Sequence, residues 1–203
     1  ERLICNEEVT SSNLVRSTTM PSYRVPFSSQ YTDLGHHEWR ARGCGITALK
    51  MVMDYWHSCN GANRTATLEE LLAQGLRAGA YLPGIGWSHK GLIEVARHYG
   101  YDGFNVDVAA NSATPKSASE ALAMVFKELE NGPLLVSVFS GLDPYRGGGH
   151  IVTLTGAHDG LVFLNDPEEM TEREGVKALA VEAFVPAFKC RYIVIRPQGS
   201  GGN

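Results

Sequence analysis

The sequence lacks any apolar run approaching the roughly 20 residues that a membrane-spanning helix needs. It also lacks a basic run of the kind that tracks phosphates. The formal net charge is -4 and the pI about 6.0, which argues against a nucleic-acid surface. There is no C-x-x-C pair, so a zinc ribbon has no support. Four cysteines (Cys5, Cys44, Cys59 and Cys190) in 203 residues are too few for a disulfide-dense scaffold and fit free thiols in a reducing compartment. Residues 1–20 hold neither a signal-peptide apolar region nor an amphipathic period. Two readings of that stretch stand. It is a disordered tail, or translation starts at Met20 and residues 1–19 are a gene-calling artefact. The second rests on Ser11–Ser17, whose reverse translation readily yields the T-loop end of a transfer-RNA gene. Neither reading supplies an export signal, so the expected location is the cytoplasm, with secretion left open.

What is present fits a globular chain: 43% hydrophobic and 20% charged residues. One domain is expected over residues 21–198, with a flexible Gly-rich tail at 199–203. Pro21 and Pro26 predict an extended stretch over Val25–Tyr31. From Cys44 to His57 the pattern is helical and apolar almost all round, as in a helix buried in a core. A second helix is expected over Leu68–Arg77, starting near Thr67, and a third over His89–Tyr99, capped by Ser88 and ended by Gly100. A fourth runs from Ser117 to Leu129. Residues 79–87 are rich in Gly and Pro and read as a loop. Val106 and Val108 suggest a short strand. Later strands are expected at Leu134–Phe139, His150–Thr155, Leu161–Leu164 and Tyr192–Arg196, with Asp159-Gly160 as a hairpin turn. The fold class is therefore α+β, with N-terminal helices packed on a C-terminal antiparallel sheet.

Four residues carry candidate chemistry. Cys44 opens a helix, where unpaired backbone N–H groups favour a thiolate and can also hold an oxyanion. A small buried thiol at the start of a core helix reads equally well. Gly43 and Gly45 flank it and would leave room for substrate beside the sulfur. His150 follows Gly147-Gly148-Gly149 and opens an apolar strand, where an imidazole can reach toward a cleft and activate a thiol. It also reads as a hydrogen-bonded histidine at a strand end. Asp166, in Asn165-Asp166-Pro167, can orient that imidazole across neighbouring strands, although Asn-Asp-Pro is also ordinary turn chemistry. Asn165 is the second candidate for the orienting role. Gln30, 14 positions before Cys44, can complete an oxyanion site with the Cys44 N–H. Trp87, His89 and the glycine loop ending at Gly149 are expected to line a cleft. His36-His37-Glu38 has no third partner at metal-ligand spacing, so no metal is expected.

These segments resemble a known family. Val25-Pro26-Phe27-Ser28-Ser29-Gln30, followed by Gly43-Cys44-Gly45-Ile46-Thr47-Ala48-Leu49-Lys50-Met51-Val52, is similar to the opening of peptidase family thirty-nine-like cysteine peptidases. These are the group around the double-glycine leader peptidases, in the papain-like superfamily. Gly149–Gly156 and Phe163-Leu164-Asn165-Asp166-Pro167 resemble that family's His strand and Asp turn. Gly86–Leu92 resembles a segment of stand-alone bacterial members. The likeness covers about residues 24–196, with the motifs in the order Gln, Cys, His, Asp. It implies a papain-like fold and amide hydrolysis through a thioester. Cys44 would be the nucleophile, His150 the base, Asp166 its orienter and Gln30 the oxyanion glutamine. Two departures stand out. Transporter-linked members place the Gln only a few residues before the Cys, and Ile46 stands where relatives often have Pro.

The leading expectation is thus a cysteine peptidase acting on a peptide or protein, without a cofactor, nucleic-acid or membrane partner, as a monomer. Acyl transfer of the phytochelatin-synthase-like type is an alternative. So is a catalytically idle peptide-binding module of the same fold.

Overall fold

A computed structural model describes residues 21–60, 66–108 and 118–199. The readings of residues 1–20, of Ser117 as a helix start and of the tail beyond Gly199 lie outside the described residues.

Helix α1 spans Cys44–Asn60, one turn longer than the sequence predicts. Ile46, Leu49, Met51, Val52, Met53 and Tyr55 are all buried on it. An isolated helix of this length is marginal in water, so burial of that apolar surface holds it. Helix α2 (Leu68–Arg77) opens with a capping box, in which Thr67 and Glu70 each satisfy the other's backbone N–H. Helix α3 (His89–His98) is capped by Ser88, whose Oγ accepts from the Gly91 N–H at 3.1 Å. Helix α4 covers Ala118–Leu129.

The Gly- and Pro-rich loop at 79–87 holds a two-residue ribbon, β1 (Tyr81–Leu82) against β2 (Gly86–Trp87). The main sheet has six antiparallel strands: β3 (Tyr101–Asp107), β4 (Leu134–Val138), β5 (His150–His158), β6 (Leu161–Asn165), β7 (Val176–Ala180) and β8 (Phe188–Pro197). Their order in space is β3-β8-β4-β5-β6-β7. Two single-turn helices, α5 (Glu172–Gly175) and α6 (Val181–Phe184), flank β7. The α+β class is as expected, except that β3 interrupts the helices.

The β5–β6 turn forms as its sequence demands. Asp159 and Gly160 both have positive φ, 53° and 75°, which is the two-residue turn that suits strand twist. β3 is longer than Val106–Val108 because backbone pairing with β8 overrides the weak strand propensity of Asp102, Gly103 and Asn105. At Gly103 a Cβ would lie 2.0 Å from the Val194 carbonyl oxygen, so only glycine allows the approach. The first half of β8 is hidden in sequence by an irregularity beside Ser137 and Val138, with Cys190 at φ 57°. Val25–Tyr31 forms no strand. One bridge, Ser22 to Gly156, ties that segment to β5, and a turn begins at Gln30. Helix α1 lies on β5, where Thr153 Oγ1 donates to the Ala48 carbonyl at 3.2 Å. No helix among the described residues is long and apolar enough to cross a membrane.

Candidate active site

Cys44 is the first residue of α1 and is half-buried. The first N–H groups of a helix have no partner within it, so donors are available at the Cys44 end of α1. Gln30 is buried next to this helix start, held by its own N–H to the Pro167 carbonyl at 2.8 Å. Its Oε1 has no hydrogen-bond partner among the described residues. The two glycines do not open space for substrate as the sequence suggests. A Cβ on Gly43 would lie 3.2 Å from Gln30 Cβ and 3.1 Å from Leu34 Cδ2. Gly43 thus lets Gln30 pack against the Cys44 peptide, and it does not line the cleft. A Cβ on Gly45 would lie 2.7 Å from Trp87. Trp87 takes that room and donates from Nε1 to the Arg42 carbonyl at 2.6 Å, bracing the turn that leads into Cys44.

His150 opens β5, opposite Val138 of β4. One ring nitrogen, Nε2, lies 2.7 Å from Asp166 Oδ1, and the side chains are only 4% and 2% exposed. The Cys44 side chain is also near enough to favour the protonated ring. Burial works against a charged imidazole, but Asp166 and Cys44 outweigh it and push His150 up to about 10. Burial likewise opposes the Asp166 carboxylate. The His150 bond and then the Lys177 ammonium overcome it and hold the acid well below the usual carboxylate range. Asn165 is not the orienter. Its Nδ2 donates to the Val25 carbonyl at 3.0 Å and anchors the segment that carries Gln30.

Lys177 on β7 escapes the sequence reading. Its Nζ donates to Asp166 Oδ2 at 2.8 Å and to Glu169 Oε1 at 2.6 Å, while the Glu168 N–H donates to Asp166 Oδ1 at 3.1 Å. The only signal in sequence is the alternation of Val176–Ala180, a short edge strand with exposed apolar residues that is easily taken for a loop. His150 and Asp166 lend stability in opposite directions of pH. His150 binds its proton more tightly when folded, so its share is complete below about pH 6.5 and is lost as pH rises through about 10. Asp166 holds its proton less tightly when folded. Its share is present above about pH 3.8 and is lost as pH falls toward its lower folded value. Lys177→Met should lower unfolding free energy at pH 7 by about 1–3 kcal/mol, the range for a charged hydrogen bond. The deficit should shrink only as acid protonates Asp166 in the variant, so denaturant titrations from pH 7 down through the acid range measure it.

A cleft of about 440 Å³ opens beside Cys44 and His150. Trp87, His89 and Gly149 line it, as expected. His89 Nε2 meets Ser137 Oγ at 2.8 Å. Burial, helped by the nearby Arg191 charge, pushes this imidazole down, toward the neutral form. Among the described residues no group of three or more His, Cys, Asp or Glu side chains is placed to hold a metal ion, and no disulfide joins Cys44, Cys59 and Cys190. The geometry has what thiol chemistry requires: a sulfur at a helix start, an imidazole beside it, and a buried carboxylate on the far ring nitrogen.

Comparison with curated proteins gives no match. Solved structures do match. The peptidase domain of Streptococcus ComA, a bi-functional ABC transporter involved in quorum sensing, is 16% identical with a TM-score of 0.52, over 78% of this chain and 93% of that one. A double glycine motif protease from an AMS/PCAT transporter, in complex with the leader peptide, is 18% identical with a TM-score of 0.55, over 91% and 100%. A C39-like peptidase from Bacillus anthracis is 18% identical with a TM-score of 0.54, over 86% and 96%. At such identities the likeness shows the fold, which is papain-like. The sequence model of the Peptidase_C39 like family matches residues 23–200, nearly the whole described chain. The chain therefore belongs to the C39-like peptidase family.

Proposed function

We propose that the chain is a cysteine peptidase whose nucleophile is Cys44, and that residues 21–198 form its peptidase domain. The observation that carries this reading is the buried His150, bonded to Asp166 at 2.7 Å and lining one cleft with Cys44. The Cys44 thiolate attacks a substrate carbonyl carbon. The carbonyl oxygen gains the electron pair and is held by the Cys44 N–H and the Gln30 side-chain amide. Collapse of this intermediate breaks the C–N bond. His150, charged after taking the thiol proton, passes that proton to the leaving amine. Water then attacks the thioester with His150 as base. The acid is released and the thiol restored. Asp166 keeps the ring oriented throughout and stabilises its charged form.

A peptide substrate is supported by the fold, since a structural neighbour is a double glycine motif protease in complex with the leader peptide. The test is cleavage of a mixed peptide library read by mass spectrometry. New termini at defined positions are expected, lost after alkylation of Cys44. A library left intact by protein whose Cys44 still reacts with electrophiles would overturn hydrolysis.

A further inference from the structure

The cleft that holds the chemistry proposed above is floored by a row of side chains across four neighbouring strands. Ile151 on β5 pairs with Ser137 on β4, Ser137 with Arg191 on β8, and Arg191 with Asp107 on β3. Residues directly opposed on antiparallel strands share a face. All four therefore emerge together, and all line the cleft that holds Cys44 and His150. Lys189, two residues before Arg191, and Lys90, in the first turn of α3, line it as well.

Charge is unevenly shared there. Lys90, Lys189 and Arg191 face one carboxylate, Asp107, so two positive charges are left without a counter-charge in the lining of a chain whose net charge is -4. Arg191 Nε meets Asp107 Oδ2 at 2.7 Å, yet the Arg191 side chain stays 48% exposed. Lys189 Nζ donates to the Gly148 carbonyl at 2.8 Å, which fixes the ammonium at the rim beside Gly149. An ammonium has three donors, so this bond leaves two. The His89–Ser137 pair adds uncharged polar groups to the same lining.

We infer that the part of the cleft lined by Lys189 and Arg191 is a subsite for an acidic side chain, Asp or Glu, lying within a few residues of the bond that Cys44 attacks. The inference rests on the peptidase reading and names its substrate class. A carboxylate here meets Arg191 and Lys189 through charge-assisted hydrogen bonds. A lysine or arginine meets the uncompensated positive charge. The attraction is local, acting within about a Debye length of the cleft, because the chain as a whole is acidic.

The test uses peptidyl chloromethyl ketones made in pairs, Glu against Gln and Asp against Asn, at each position near the warhead. Covalent labelling of Cys44 is followed by mass. Labelling needs the nucleophile and the cleft but no hydrolysis. At one or more positions the acidic member should label at least about tenfold faster at low salt, an ordinary size for one charge contact at a protein surface. The ratio should shrink at high salt and approach one in Lys189→Gln/Arg191→Gln. Equal rates for both members at every position would overturn the subsite alone. So would a ratio that ignores salt, a measurement that needs only the unmodified protein, or one that survives the double substitution. Failure of every peptidyl electrophile while iodoacetamide still modifies Cys44 would overturn the peptidase reading and the subsite together.

Discussion

Cys44→Ala is expected to lower peptide turnover by at least about 10,000-fold, with the fold intact. Loss of a nucleophile that acts in one unit with its base removes nearly the whole catalytic advantage, not a proportional share of it. The side chain is small and half-buried, so its truncation leaves little cavity. The variant should therefore unfold in a two-state transition close to the parent's. It should also lower the proton affinity of His150, because the Cys44 contacts are among those that raise it. Two readouts follow: product formation from a cleaved peptide, and the His150 ring titration by NMR. Retained turnover in this variant would remove Cys44 from the chemistry. An unchanged His150 titration would separate the two side chains.

His150→Ala is expected to cost at least about 1,000-fold in turnover, within the range for general acid–base groups. Its pH dependence is the sharper part. Raising pH ionises a thiol without help from a neighbour, so iodoacetamide modification of Cys44 should recover in alkaline buffer. Peptide turnover should not recover, because the leaving amine still needs a proton that only the imidazolium is placed to give. In the unmodified protein the proton is held up to about 10. Turnover should persist through mildly alkaline buffer and fall as pH passes through that value. Parallel recovery of labelling and turnover in the variant would mean that His150 only ionises the thiol.

Much of this was legible in the sequence. The apolar run after Cys44, the Ser88 cap and the Asp159-Gly160 turn are local signals, and each formed where chemistry required. So were the segments bearing Gln30, Cys44, His150 and Asp166, which the fold brings to one place. What stayed hidden depends on partners distant in the chain. β3 has weak propensity of its own and forms by pairing with Arg191–Pro197 of β8, while the start of β8 is masked by the irregularity opposite Ser137 and Val138. Lys177 lies 11 residues beyond Asp166 on an edge strand whose alternation is faint. The role of Gly43 was misread for the same reason. Glycine announces that something approaches closely, and the sequence does not say whether it is a substrate or Gln30. Arg191 has no local signal, and only strand register sets it beside Ser137 and Asp107.

The position of β8 has a consequence for how the protein is made. It is the last of the described strands in sequence, yet it lies between β3 and β4. On the ribosome, β3 and β4 emerge long before the strand that separates them, and they cannot settle against each other in the final order. Before β8 has been made, the sheet is split and the floor of the cleft is missing Lys189 and Arg191. A nascent chain at that stage holds Cys44 without the strand that completes its cleft.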